Sequence, residues 1–144
     1  MTVAAILKHK GHEVARIAPT ATIAEVVKTL AARRIGALLV TDAADQLLGI
    51  ISERDIVCCL AEHGGRVLDK TVDQLMTREL QTVAPSTRVI QAMQMMTEGR
   101  IRHLPVLEDG RLVGLVSIGD IVKARIMEQE TEVDSLKAYV AGGA

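Results

Sequence analysis

Apolar residues recur along this chain in two alternating rhythms. Ile23, Val26, Val27 and Leu30 fall at the i, i+3, i+4, i+7 positions of one helix face, and Val89, Ala92, Met93 and Met96 repeat that spacing. Two apolar runs of strand length follow each helical pattern: 37–41 and 47–51, then 103–107 and 112–116. Asp109-Gly110 within the second pair is a strong hairpin signal, whereas the turn at 42–46 is longer and less diagnostic. Pro19 and Pro85 break any element ahead of each helix, because proline lacks an N–H and fixes its φ. Thr22-x-x-Glu25 is a capping box for the first helix; with Arg88 and Gln91 in its place, the second helix is expected to have lost it. A further helix starts at Ser52-x-x-Asp55 and at Ser117-x-x-Asp120. The predicted order is β-α-β-β-α, twice, in an α/β (α+β) chain.

The two rounds are copies. Residues 17–40 align without gaps on 83–106: Ala18-Pro19-Thr20 with Ala84-Pro85-Ser86, Arg34-Ile35 with Arg100-Ile101, Leu38 with Leu104, Val40 with Val106. After a one-residue deletion, 47–52 match 112–117, and Asp55-Ile56-Val57 match Asp120-Ile121-Val122. The lead-in segments echo one another too: Thr2-Val3 with Ile6-Leu7, and Thr71-Val72 with Leu75-Met76. Identities at Gly, Pro, Ser and Asp carry backbone and polar roles that chance does not supply. Gly64-Gly65 marks the join, so the expected organisation is 1–64, 65–127 and a polar helical extension, 128–144, ending in Gly142-Gly143. One copy alone would expose an apolar face, so the two are expected to pack as one body with pseudo-two-fold symmetry.

Composition narrows the function. Tyr139 is the sole aromatic residue in a chain that is 49% apolar, so the core is aliphatic and no platform for base stacking exists. With 17 Lys plus Arg against 18 Asp plus Glu, the basic excess of a phosphate-backbone binder is missing as well. The expectation is no nucleic-acid partner. The longest apolar runs are strand-sized and no basic segment precedes residues 1–7, so neither a membrane partner nor a secretory signal is expected. Cys58 and Cys59 are adjacent and point apart on a helix, which excludes a disulfide framework and suggests two small hydrophobes in a reducing, cytoplasmic compartment.

The candidate chemistry lies at the strand-to-helix junctions. Helix capping alone accounts for each Ser-x-x-Asp, with Ser as N-cap and Asp favoured by the helix dipole. A nucleotide site accounts for it equally: free amides and the hydroxyl meet a phosphate, while the Asp accepts from ribose hydroxyls. Arg102 and His103 precede a strand where the first copy has Gly36 and Ala37. They form either a basic surface pair or a phosphate-facing cluster, and the small pair would let a flat ring approach the backbone. Arg54 against Gly119 repeats this asymmetry, so two related but unequal sites are expected. His9 and His12 lack a matching carboxylate or thiolate pattern, which points to solvated histidines rather than metal ligands. No nucleophile–base pair supports catalysis, so no enzyme is expected.

The pattern Pro-x-x-x-apolar, helix, Arg-Ile-x-x-Leu-x-Val, turn, Leu-x-Gly-apolar-apolar-Ser-x-x-Asp-Ile resembles the CBS domain, here in tandem over roughly residues 2–127. The stretches 49–57 and 100–106 are particularly characteristic, and the whole is similar to small stand-alone bacterial CBS-pair signal-transduction proteins. That resemblance implies a non-catalytic energy-sensing module binding AMP, ADP, ATP, NAD(H) or S-adenosylmethionine in two clefts, with no catalytic cofactor. One cleft would pair Ser52, Arg54 and Asp55 with Ile101, Arg102 and His103; the other would pair Ser117 and Asp120 with Ile35, Gly36 and Ala37. Asp55 and Asp120 would hold ribose, Ile35 and Ile101 adenine, and Arg54, Arg102 and His103 phosphates, with Thr77 and Lys10 as weaker candidates. It further implies a homodimer through CBS helices and a regulated partner protein. The alternative is a ligand-independent dimerisation or interaction module.

Overall fold

The computed structural model of the chain describes residues 1–142; Gly143, expected near the end of the C-terminal extension, lies outside the described residues. The elements run α1 (Val3–Lys10), β1 (Arg16–Ile17), α2 (Ile23–Arg33), β2 (Ala37–Thr41), β3 (Leu47–Ser52), α3 (Glu53–His63), a 3-10 turn (Gly64–Asp69), α4 (Val72–Leu75), α5 (Val89–Gly99), β4 (His103–Glu108), β5 (Arg111–Ser117) and α6 (Ile118–Gly142). They form two compact units that are not contiguous in sequence. A middle unit holds 13–81 with the hairpin tip 109–112, and a terminal unit holds 1–12, 82–108 and residues from 113 onward. Thus α1, the lead-in of the first repeat, belongs to the unit of the second, while α4, the lead-in of the second, belongs to the unit of the first.

The middle unit carries a three-stranded sheet in the order β1-β2-β3, with β1 parallel and β2 antiparallel to its neighbour. Every residue of β2 is buried, which is why Ala37–Val40 read as a continuous apolar run, closed by Thr41, rather than an alternation. Ile23, Val26 and Leu30 of α2 pack with Leu38, Val40, Ile51, Ile56, Val67, Val72 and Met76. Val27, expected on the same face, is 38% exposed and forms no part of this core. Of the two cysteines, Cys59 packs against the cluster and Cys58 is exposed. In the turn after β2, Asp42 Oδ1 accepts from the amides of Ala44 and Gln46, both at 2.9 Å, and Asp45 adopts a left-handed φ of 65°. This Asx-type bonding is the turn chemistry that the residue string leaves undiagnosed.

The terminal unit carries α1, α5, β4, α6 and β5 from Val113 onward, the tip of the β4-β5 hairpin being counted with the middle unit. Asp109 and Gly110 have φ of 52° and 76°, the two left-handed positions of the predicted tight turn. The expected first strand of the second copy is reduced to a single parallel bridge, Val83 to Val106. In the first copy the Leu39 amide donates to the Ala15 carbonyl at 3.1 Å; its counterpart is Pro105, which has no N–H to donate. The capping box of α5 is half kept, not lost: Gln91 Oε1 accepts from the Arg88 amide at 3.1 Å, while the arginine side chain has no acceptor to complete it. Val3, Ile6 and Leu7 of α1 pack with Val89, Ala92 and Met96 of α5, Leu104, Val106 and Val116 of the hairpin, and Ile121 and Ala124 of α6. With no Gly or Pro between 120 and 141, α6 runs unbroken into the 128–142 extension. No helix among the described residues is long and apolar enough to cross a membrane.

Candidate functional site

Each Ser-x-x-Asp stands where the last strand of a hairpin runs into a helix, and the two turns have the same geometry. At β3–α3, Asp55 Oδ2 accepts from the Ser52 amide at 2.9 Å and the Ser52 hydroxyl at 3.0 Å, while the Asp55 amide donates to Ser52 Oγ at 3.3 Å. At β5–α6 the corresponding bonds of Ser117 and Asp120 are 2.8, 3.0 and 3.3 Å. The first amide of each helix is also taken: Glu53 N–H donates to the Gly36 carbonyl at 2.9 Å, and Ile118 N–H to the Arg102 carbonyl at 2.8 Å. The capping reading is therefore physically correct. It leaves each aspartate's second oxygen, Oδ1, and the amides of Arg54 and Gly119 outside these bonds. Such a turn presents a fixed carboxylate oxygen and a helix-start donor side by side, the combination that meets vicinal hydroxyls and an oxyanion.

The segments leading into each repeat approach these turns along a glycine. Thr77 bridges Ile50 by reciprocal backbone bonds of 2.9 and 3.0 Å, two residues before Ser52. A Cβ at Gly49 would stand 2.7 Å from the Thr77 carbonyl oxygen and 2.9 Å from Met76 Sδ; a Cβ at Gly114 would stand 2.6 Å from Leu7 Cδ2. The Leu-x-Gly of each copy is thus a contact requirement, not a matter of backbone conformation. Three residues beyond Leu7, Lys10 donates from Nζ to the Leu115 carbonyl at 2.8 Å and to Asp120 Oδ2 at 2.7 Å. Burial pushes the Asp120 carboxyl up, but the Lys10 bond, the Ser117 bonds and the lysine charge together outweigh it and hold the group below the usual carboxylate range. Among the described residues no cation is bonded to Asp55, so the two turns differ at the carboxylate itself.

Lys10 and Asp120 line a cavity of about 280 Å³ with His9, Lys123 and the apolar Ile6 and Met127, a volume at the small end for small-molecule sites. Lys123 escaped the sequence reading, although its place three residues after Asp120 on one helix was the signal for it. Among the other expected residues, Arg54 and Arg102 are exposed, and half-buried His103 opens β4. Ala37 pairs in register with Ser52 and is buried. Ile35 and Ile101 are partly buried against the cores of their own units. The contacts described here join Gly36 and Thr77 to the first turn and Arg102 and Lys10 to the second, each within one unit. His12 is exposed in the loop after α1, as expected of a solvated or loop histidine, and there donates from Nδ1 to the Val113 carbonyl at 2.9 Å.

The chain is similar to known proteins over most of its length. The CBS domain family matches twice, at residues 6–62 and 72–126. The mitochondrial CBS domain-containing protein CBSX3 of Arabidopsis thaliana is 42% identical over 126 residues, 85% of this chain. The chain spans 61% of that protein's length, and 22% and 65% of two further curated relatives. A crystal structure of a CBS-domain containing protein from Agrobacterium tumefaciens is 43% identical, with a TM-score of 0.85 over 87% of this chain and 99% of the other. A CBS domain protein from Pyrobaculum aerophilum, solved in complex with AMP, is 29% identical, with a TM-score of 0.77 over 91% of this chain and 99% of the other. The CBS domain pair of protein MJ0100, solved with 5-methylthioadenosine and S-adenosyl-L-methionine, is also 29% identical, with a TM-score of 0.76 over 86% of this chain and 98% of the other. A duplicated Ser-x-x-Asp turn, a duplicated mixed α/β repeat and two matches to one family model together place this chain in the CBS family, as a tandem pair of CBS domains.

Proposed function

We propose that this chain is a non-catalytic regulatory module that binds adenosyl nucleotides at its two Ser-x-x-Asp turns and signals occupancy to a partner protein through a shift between conformations. The observation that carries this reading is the pair of matching turns, each holding a carboxylate by Ser N–H and Oγ–H while its second oxygen stays outside the capping bonds. Its support from relatives is the AMP complex and the S-adenosylmethionine and methylthioadenosine complex of two structural neighbours. In this reading Asp55 and Asp120 accept from ribose hydroxyls, and Ser52, Ser117 and Thr77 flank the sugar. Ile35 and Ile101 offer aliphatic surface to adenine, and Gly36 and Ala37 let it approach the backbone. Arg54, Arg102, His103 and Lys10 supply positive charge for phosphates. The two sites are unequal because Asp120 already accepts from Lys10.

Thermal melts with AMP, ATP, NADH, S-adenosylmethionine and methylthioadenosine test the reading. A ligand that binds at 100 times its dissociation constant adds about 2.7 kcal/mol, a rise of several degrees in Tm. Asp55→Ala and Asp120→Ala are each expected to remove one of two binding events in calorimetric titration. If no adenosyl ligand moves the Tm, the nucleotide reading fails and a ligand-independent interaction module replaces it.

A further inference from the structure

Beyond Glu128, every described residue of α6 is exposed, so its last 14 residues pack on nothing in this chain. At 1.5 Å per residue that is a projection of about 21 Å. Yet the projecting helix is not polar all round. Val133 is 50%, Leu136 64% and Val140 65% exposed, and the same stripe continues back through Ile126 and Val122, each 50% exposed. The spacing of Val122, Ile126, Gln129, Val133, Leu136 and Val140 is 4, 3, 4, 3, 4, an unbroken heptad alternation. A helix of this length is marginal in water without packing, so the stripe needs a cover.

We infer that α6 pairs with α6 of a second copy of this chain in a parallel, in-register two-stranded coiled coil over residues 122–140. Three features specify that occupant. With Ile126 at an a position, all three a residues (Ile126, Val133, Val140) are β-branched, while d holds Val122, Gln129 and Leu136; β-branched a residues with Leu at d favour two parallel strands. In the parallel arrangement each g residue faces the partner residue five places on, which sets Arg125 against Glu130 of the partner subunit and Glu132 against Lys137 of the partner subunit. Both pairs are attractive, and Arg125, bonded to Glu128 at 2.6 Å through Nη1, keeps further N–H donors for the first. An antiparallel pairing that buries the same six positions instead opposes Glu130 to itself, Glu132 to itself and Lys123 to Lys137, so charge excludes it. Finally, Gln129 at a d position gives a polar layer satisfied only when the two copies are in register. The surface is independent of the nucleotide reading.

Disulfide trapping in the full chain tests it. In a Cys58→Ser, Cys59→Ser background, Val140→Cys is expected to form an interchain disulfide in most molecules under a glutathione redox buffer. Adding Leu136→Asp is expected to reduce that yield at least tenfold. Glu132→Lys, a surface change that spares the fold, is expected to lower the yield, and adding Lys137→Glu to restore it. Circular dichroism on each variant verifies that the chain is folded. A folded Val140→Cys protein that stays uncrosslinked overturns the inference, and so does a yield that Leu136→Asp leaves unchanged.

Discussion

Asp55 and Asp120 do the same local work and differ by one neighbour. Both carboxylates cap the helix behind them through a serine, but only Asp120 also accepts from a lysine. Its depressed pKa ties this bond to pH with a definite sign. A carboxylate stabilised in the folded state contributes stability above its unfolded pKa, near 3.8, and loses it as pH falls through the still lower folded value. Lys10→Met keeps the aliphatic stem and removes the charge. It is expected to lower stability in urea melts at pH 7, with the gap to the parent closing as the pH is taken below about 4. A gap that stays constant down to pH 3 would show that Lys10 acts through packing alone. The serine and aspartate were legible as a cap in the residue string. The lysine's place was not, because residues 10 and 120 meet only through tertiary packing of α1 on α6.

At the level of elements, most of the repeat could be read from periodicity, and the departures have identifiable causes. β2, buried throughout, and the buried Leu104–Val106 centre of β4 are legible as apolar runs because buried strand residues need no polar face. The second copy's first strand was over-read because Pro105 sits inside an apolar run without spoiling its hydropathy while removing a ladder donor. Gly49 and Gly114 show the reverse: identical positions whose reason is invisible until the lead-in segment lies against them. At Gly49 the obstacle is a backbone carbonyl, which cannot rotate away; at Gly114 it is the end of the Leu7 side chain. Gly49→Ala is therefore expected to cost more than Gly114→Ala, within the roughly 1–3 kcal/mol typical of overpacking. Chemical denaturation of the two variants side by side reads the difference, and equal midpoints would mean that the Thr77 segment shifts freely.

At the scale of the molecule, the sequence repeat and the compact unit are different partitions. Self-similarity divides the chain at Gly64-Gly65, but the core around α2 takes Val67, Val72 and Met76 from beyond that point. The core around α5 takes Val3, Ile6 and Leu7 from the far side of the other repeat. A fragment of residues 1–64 lacks the first set and a fragment of 65–144 lacks the second. Each is expected to show little helix by circular dichroism when expressed alone, whereas mixing them is expected to restore the helical signal. A fully folded 1–64 fragment would contradict this account of the cores. The exchange of lead-in segments left no trace in the alignment, since Thr2-Val3 and Thr71-Val72 resemble each other whichever unit each one joins.

That exchange sets an order on synthesis. The core around α2 is complete in sequence at Met76, so it can form while the remainder is still being made. Helix α1 leaves the ribosome before any residue it packs on, and its core is not complete until Ala124. A helix made ahead of every residue it packs on is thus among the last to be housed. Until then Val3, Ile6 and Leu7 travel exposed, and closing a loop of more than a hundred residues is the slow, late step of assembly.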